Sequence, residues 1–339
     1  MTHYDSGHTG YRHILVATDF SSHSKAALQQ AVWMARRDGA KITLAYTLPN
    51  LRSLVETASH QGKVDFLYGE GTAFHREVQQ ESETKMRQLI ADVNATSREV
   101  EIVTMLGSAY TQITRLVQQN RYDLVLAGTR GMGNWEQFFV GSTSKRLIRN
   151  CPASVWIVKG EDVKPPNAVL AATDFSDVSR KAVLEGLWIA NQASADFHLV
   201  HVIDSMDVAE EVFSKIPDGG SLRREINEEA KRQLDTFIES LHTDPESIQK
   251  HLTFGTPWQE VGRLAKHLKI DLIAMGTIGR SGIKGLLLGN TAERILDTCD
   301  CSILTVKPVD FVSPILPGFG PLYPDQNSDP AQANSMDES

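Results

Sequence analysis

The strongest chemical signal in the chain is a spaced set of glycines and hydroxyls. Gly128-Thr129-Arg130-Gly131 is followed, after nine residues, by Gly141-Ser142-Thr143-Ser144. Glycine lets a backbone approach a ligand closely and reach positive φ. The segment follows Leu124–Ala127, an apolar run that reads as a strand. It therefore opens at the C-terminal edge of a sheet, where open α/β sheets bind ligands. Ser142 to Ser144 then begin a helix, whose first N–H groups attract phosphate. Their hydroxyls add donors, and Arg130 and Lys145 add positive charge. The spacing is not that of a Walker loop, because no Gly-Lys-Ser/Thr is present. It is not the dinucleotide fingerprint either, because no Gly-x-Gly-x-x-Gly follows the first strand.

Other reactive side chains form no catalytic set in the sequence. No Ser-His-Asp order stands out, and no carboxylate is marked as a base beside the glycines. Groups that would position a metal for phosphoryl transfer are not identifiable. His198 and His201 are three apart on an expected strand, so they face opposite sides and do not share a metal. Trp135, Phe138 and Phe139 interrupt the glycine segment and suit packing against a neighbouring element better than base stacking. Cys151, Cys299 and Cys301 show no zinc or redox spacing and read as ordinary buried thiols.

The same signals occur twice. HILVATDFSSHSKAAL, starting at His13, returns as AVLAATDFSDVSRKAVL, starting at Ala168. RYDLVLAGTRG, ending at Gly131, returns as KIDLIAMGTIG, ending at Gly279. GSTSKRLIRNCPASVWIVK returns as GNTAERILDTCDCSILTVK. Asp19 thus matches Asp174. Gly128, Gly131 and Gly141 match Gly276, Gly279 and Gly289. The second copy carries Asn290-Thr291 where the first carries Ser142-Thr143. Asn still donates a hydrogen bond, so this loop keeps an anion-binding option. Leu286 to Leu288 make its approach apolar, which leaves open a different or apolar ligand, or a purely structural copy.

Each copy alternates strands and helices. The first reads as strands over residues 13–18, 41–47, 99–105, 124–127 and 155–158. Its helices run from Asp19 or Ser21 as cap to about Arg37, ended by Gly39, then over 73–95, over 109–120 and from Ser142. Residues 49–71 read as irregular. The second copy repeats the order, with strands over 169–172, 197–202, 248–254, 272–275 and 303–306. This alternation specifies α/β domains with parallel sheets covered on both faces. The domains are read as 1–160 and 161–308, with a Pro-containing linker at 161–167. Residues 309–339 form a tail rich in Pro, Asn and Asp without Lys or Arg. Its end lacks the apolar content for a core and reads as disordered, while Phe311–Tyr323 is apolar enough to pack along a surface.

Length and composition agree. The 339 residues suit two domains of ~150 residues plus a remainder. With 41% apolar and 22% charged residues, each domain can bury a core. A net charge of -8 offers no footprint for a dedicated nucleic-acid binder. No signal-peptide pattern and no run of ~20 apolar residues is present, so the expectation is a cytoplasmic protein without membrane insertion.

Both halves, over about Tyr11–Lys159 and Asn167–Pro308, resemble the universal stress protein family. The resemblance rests on VATDFS, on Gly-x2-Gly-x9-Gly-Ser/Thr and on the duplication, which is similar to the two-domain bacterial branch. It implies two tandem doubly wound parallel five-stranded sheets of the adenine nucleotide alpha hydrolase-like type, strand order 3-2-1-4-5. It implies ATP, or ADP or AMP, with or without Mg, as ligand. Ala17 and Asp19 would lie beside adenine and ribose, with backbone of residues 42–46 beside the base. Gly128 and Gly131 would approach ribose and the first phosphate. Gly141, Ser142 and Ser144 would hold phosphates, with Arg130 adding charge. In the second copy Asp174, Gly276, Gly279, Gly289, Asn290 and Thr291 are the counterparts. The resemblance also implies pairing of the two domains through their fifth strands and leaves a homodimer of such chains open. The function implied is a stress-response protein that holds nucleotide as a signal, most strongly in the first domain. A nucleotide-independent scaffold and a weak ATPase are the alternatives.

Overall fold

The computed structural model describes residues 10–48, 73–129, 140–161, 164–204, 219–279, 288–318 and 322–324. In the first copy the strands are β1 (His13–Thr18), β2 (Lys41–Leu48), β3 (Val100–Leu106), β4 (Leu124–Gly128) and β5 (Ser154–Val158). The helices between them are α1 (Ser22–Asp38), α2 (Ala73–Asp92), α3 (Ala109–Asn120) and α4 (Ser142–Asn150). The second copy has β6 (Ala168–Thr173), β7 (Asp196–Asp204), β8 (Ile248–Gly255), β9 (Leu272–Gly276) and β10 (Ser302–Val306). Its helices are α5 (Asp177–Ala193), α6 (Gly219–Ser240), α7 (Pro257–His267) and α8 (Asn290–Thr298), with a short 3-10 turn at Pro245–Ser247.

Each copy pairs its five strands in parallel in the order 3-2-1-4-5. The near-continuous apolar runs of β1, β4, β5 and β9 suit central strands covered on both faces. The two sheets do not stay separate. β5 and β10 pair antiparallel, with Ile303 opposite Ile157, Leu304 opposite Trp156 and Thr305 opposite Val155. This edge joins both copies into one mixed sheet, so the expected fifth-strand pairing occurs within the chain. One core layer holds Ile14, Val16, Leu28, Trp156, Val169 and Leu304. The other holds Leu15, Ile113, Leu147, Leu170, Ile295 and Ile303. Both layers run unbroken from one copy into the other. Burying a large apolar side chain contributes about 1.5–3 kcal/mol, so a continuous core strongly disfavours separation of the copies.

Lys159 and Lys307 occupy matched positions just past β5 and β10. Lys159 donates from Nζ to Leu296 O and Cys299 O at the end of α8. Lys307 donates to Arg149 O at the end of α4. A cation at a helix C-terminus is favourable, and here each copy supplies it to the other. Burial lowers both ammonium pKa values, that of Lys307 to about 7. The three thiols are free, with Cys151 and Cys299 buried. Burial pushes Cys151 and Cys301 up to about 12, which fits inert packing groups.

The tail returns to the first copy. Arg115, Gln118 and Gln119 of α3 donate to the carbonyls of Leu316, Ile315 and Gly318. A short strand, β11 (Leu322–Pro324), then pairs antiparallel with β3. The attachment is through backbone: Val312 and Leu316 remain exposed. No described helix is long and apolar enough to cross a membrane.

Candidate functional site

β1 sits between β2 and β4, and the chain winds outward from it in both directions. Ala17 is in register with Ala45 on β2 and Ala127 on β4. The crevice beyond these strand ends is the topological switch point of the sheet. Asp19, Gly128 and the start of α4 converge on it.

The turn out of β1 is built by its own side chains. Ser21 caps α1, accepting from Ser24 N. Asp19 supports the cap: its Oδ1 accepts from both Ser21 N and Ser21 Oγ. Among the described residues, Asp19 Oδ2 takes no hydrogen bond. Thr18 Oγ1 accepts from Phe20 N at 3.1 Å and lies 3.0 Å from Ser24 Oγ. Ser24 Oγ spends its proton on Ser21 O, so Thr18 is the donor in that pair. This network holds Phe20 at φ 65°, in the left-handed region. A bulky residue there costs on the order of 1–3 kcal/mol and persists only where surroundings enforce it. The Phe20 ring packs on Tyr46 of β2, with centroids 4.5 Å apart.

The second copy reproduces this turn. Thr173, Asp174, Ser176 and Ser179 make the same bonds, and Phe175 has φ 64°. Phe175 stacks on His201 at 4.2 Å, where the first copy has Tyr46. His201 Nδ1 is 2.9 Å from Thr173 O. The positive φ at both phenylalanines was not legible in the sequence. Its sole trace is that Thr-Asp-Phe-Ser recurs intact.

The glycines divide by role. A Cβ on Gly128 would lie 2.7 Å from the carbonyl carbon of His23 and 2.9 Å from Ser24 N. Gly128 thus lets the end of β4 touch the first turn of α1. At Gly276 the nearest atom would be a side-chain carbon, Val178 Cγ1, at 2.9 Å. Gly141 N donates to Thr129 O at 2.7 Å, and Gly289 N to Thr277 O at 2.8 Å. These bonds bring the start of α4 and of α8 back over β4 and β9. In the second copy a Cβ on Gly279 would come within 2.7 Å of Asp174 Oδ2, so that loop and that carboxylate meet. Arg130 and Gly131 lie outside the described residues, as do Trp135, Phe138, Phe139, Leu286 and Leu287.

Helix α4 opens without a side-chain cap, because its cap residue is Gly141. Ser142 and Thr143 are exposed at this opening. Ser144 is different: it is buried, and its Oγ donates to Gly128 O at 2.8 Å. It ties α4 to β4. In α8, Asn290 and Thr291 are exposed, while Ala292 replaces Ser144 and makes no such tie. Lys145 points elsewhere: its Nζ is 2.6 Å from Asp297 of α8. His198 pairs with His251 of β8 at 3.0 Å, and burial lowers both pKa values. Among the described residues, no group of three or more His, Cys, Asp or Glu could hold a metal.

The family model for the universal stress protein family matches residues 10–159 and again 167–307. Universal stress protein E of Salmonella typhi is 27% identical over 327 residues, covering 90% of this chain and 97% of that protein. Its counterpart in Escherichia coli K12 is 26% identical over 328 residues, covering 90% and 96%. A universal stress protein from Archaeoglobus fulgidus superposes with a TM-score of 0.59 at 18% identity, covering 87% of this chain and 98% of the other.

Proposed function

The chain belongs to the universal stress protein family, and on that premise we propose that its first copy binds ATP or a related adenine nucleotide as a signal. The observation that carries the reading is the opening of α4. An uncapped helix start, with Ser142 and Thr143 exposed on it, stands beside Asp19 at the sheet's switch point. Such an end offers N–H donors and a positive dipole to phosphate. Gly141, folded back onto Thr129, leaves the backbone bare where a phosphate would sit. Asp19 Oδ2 supplies an acceptor for ribose hydroxyls. Ser144 serves through shape, by fixing α4 against Gly128.

In this reading the nucleotide is held as a signal rather than turned over quickly. Ligand bound to the folded state stabilises it and biases the partners it meets. The second copy is a weaker candidate for the same ligand. Asn290 and Thr291 keep donors there, but the tie made by Ser144 is missing.

Calorimetry of ligand-stripped protein with ATP, ADP and AMP tests this. Replacing Ser142 and Thr143 by Ala is expected to weaken binding by roughly 2- to 12-fold per hydroxyl. Replacing Asn290 and Thr291 is expected to change it less. No binding at millimolar nucleotide would overturn the assignment.

A further inference from the structure

Much of the contact between the copies is symmetric, but not all: Glu185 takes Tyr11 and Ser154 of the first copy, while its counterpart Gln30 donates to Lys164 O. Trp156, Val155 and Ile157 of β5 meet Leu304, Thr305 and Ile303 of β10. Lys159 and Lys307 perform the same service for opposite helices. The β5–β10 pairing favours the other copy by size, since like copies would set Trp156 against Trp156 or Leu304 against Leu304; the lysines would not distinguish the other copy from a second example of the same copy.

The charges on α4 and α8 would. Lys145 matches Glu293 in the repeat, and Arg149 matches Asp297. In the structure Lys145 pairs with Asp297, and Arg149 pairs with Glu293. Each bond joins the start of one helix to the end of the other, so the helices run antiparallel across the junction. At both positions the first copy is cationic and the second anionic. Two first copies meeting this way would set Lys145 against Arg149 twice. Two second copies would set Glu293 against Asp297 twice. The helix dipole supports this view. A lysine in a first turn and an aspartate in a last turn are both badly placed within their own helices. Those two residues pair with each other across the junction, as do the well-placed Arg149 and Glu293.

We infer that this face of α4 and α8 is a charge-coded interaction surface that accepts the other copy and rejects its own kind. Its partner for the first copy is an acidic helix face, and for the second a basic one. Opposite charges supply modest attraction, while like charges facing each other supply the discrimination. The code directs the two halves of one chain to each other rather than to matching halves of neighbouring chains. The residues are partly exposed, so salt weakens the code without erasing it.

The test uses four full-length variants. One carries Lys145→Glu and Arg149→Glu, so that both faces are acidic. One carries Glu293→Lys and Asp297→Lys, so that both are basic. The third combines all four changes and restores opposite charges the other way round. The fourth places Gln at all four positions. Thermal unfolding is recorded at low salt and in 1 M NaCl. Each one-sided variant should unfold about 2–8 °C below the parent at low salt, with the gap narrowing in 1 M NaCl. The combined variant should regain most of the loss, and the neutral variant should lose less than either one-sided variant. A combined variant no better than the sum of its halves would overturn the code. So would a neutral variant as poor as the like-charged ones, since the pairs would then reject nothing. If the one-sided variants are insoluble, a soluble combined variant supports the inference and an insoluble one overturns it.

Discussion

Gly128→Ala separates a packing requirement from a ligand requirement at the glycine loop. Gly128 lies outside the left-handed region, so alanine meets no backbone strain there. The obstacle is contact. The new Cβ would stand 2.7 Å from His23 C, 2.7 Å from His23 Cβ and 2.9 Å from Ser24 N. Carbon atoms pack best at about 3.5–4.0 Å, so β4 or the first turn of α1 has to move by about 0.7 Å or more. Overpacking of this kind costs about 1–3 kcal/mol. Loss of glycine freedom in the unfolded chain returns about 0.4–1 kcal/mol. The net is a destabilisation of about 1–2 kcal/mol. The matched Gly276→Ala meets Val178 Cγ1 at 2.9 Å and Ser179 N at 3.5 Å. A valine side chain can give way more cheaply than helix backbone, so its net cost stays within about 1 kcal/mol. Urea unfolding of both variants without nucleotide reads the difference directly. If Gly128→Ala is as stable as the parent, or Gly276→Ala is the worse of the two, the close approach of β4 to α1 is wrong. The expected result also means that nucleotide loss in a Gly128 variant proves nothing about phosphate contact until folding has been measured.

Glu185 is buried on α5, accepting from Tyr11 Oη at 2.8 Å and Ser154 Oγ at 3.0 Å, and burial raises its pKa. The folded chain therefore holds this proton to a higher pH than the unfolded chain, and stability falls as pH rises above the ordinary carboxylate range. Glu185→Gln keeps an acceptor and should flatten that fall in a series of melting temperatures from pH 4.5 to 8. Asp38, raised to about 6 by burial, has the same sign, while His198, His251 and Lys307, whose pKa values burial lowers, slope the other way, so the readout is the difference between the parent and variant curves. Parallel curves for parent and variant would contradict the account. Truncation after Pro308 should bare the edge of β3, and an open edge templates association between chains. Light scattering after gel filtration should then show dimers or larger species, while truncation after Pro324 should behave as the full chain. Equal behaviour of the two truncations would count against β11 as a cover.

What was legible in the sequence follows from how local its cause is. Strands β1 and β4 announce themselves as short apolar runs, and α3 as an apolar period bounded by Ser108 and Asn120. Gly39 was read as the stop of α1, and it adopts φ 71° there. The convergence of Asp19, Gly128 and Gly141 was readable because strand order fixes which ends meet. Three features were less legible because their cause is distant. Lys145 reads as positive charge beside the glycine loop, but its partner, Asp297, belongs to the other copy. His251 gave no signal, since its pairing with His198 depends on the register of β7 and β8. The tail strand contains proline and owes its place to donors on α3, about two hundred residues away.

Duplication makes the remaining contrast informative. Where the two copies must solve the same folding problem, they do so with the same atoms: the threonine, aspartate and serines around Phe20 recur around Phe175 with distances alike to within 0.1 Å. Folding alone therefore imposes no reason for the copies to differ at the start of α4 and α8. Yet Ser142 and Ser144 become Asn290 and Ala292 there, and the bond from Ser144 to Gly128 O has no equivalent. A buried hydroxyl that fixes a helix start costs conformational freedom and gains precision in where the first N–H groups point. That precision is what the phosphate site proposed for the first copy requires. The second cluster of differences, the reversed charges at 145, 149, 293 and 297, lies on the same two helices, one to two turns further along. Each helix thus carries an uncapped, exposed start and a charge-paired side within nine residues. If the first copy holds nucleotide as proposed, that ligand and the contacts to Asp297 and Glu293 share one nine-residue helix.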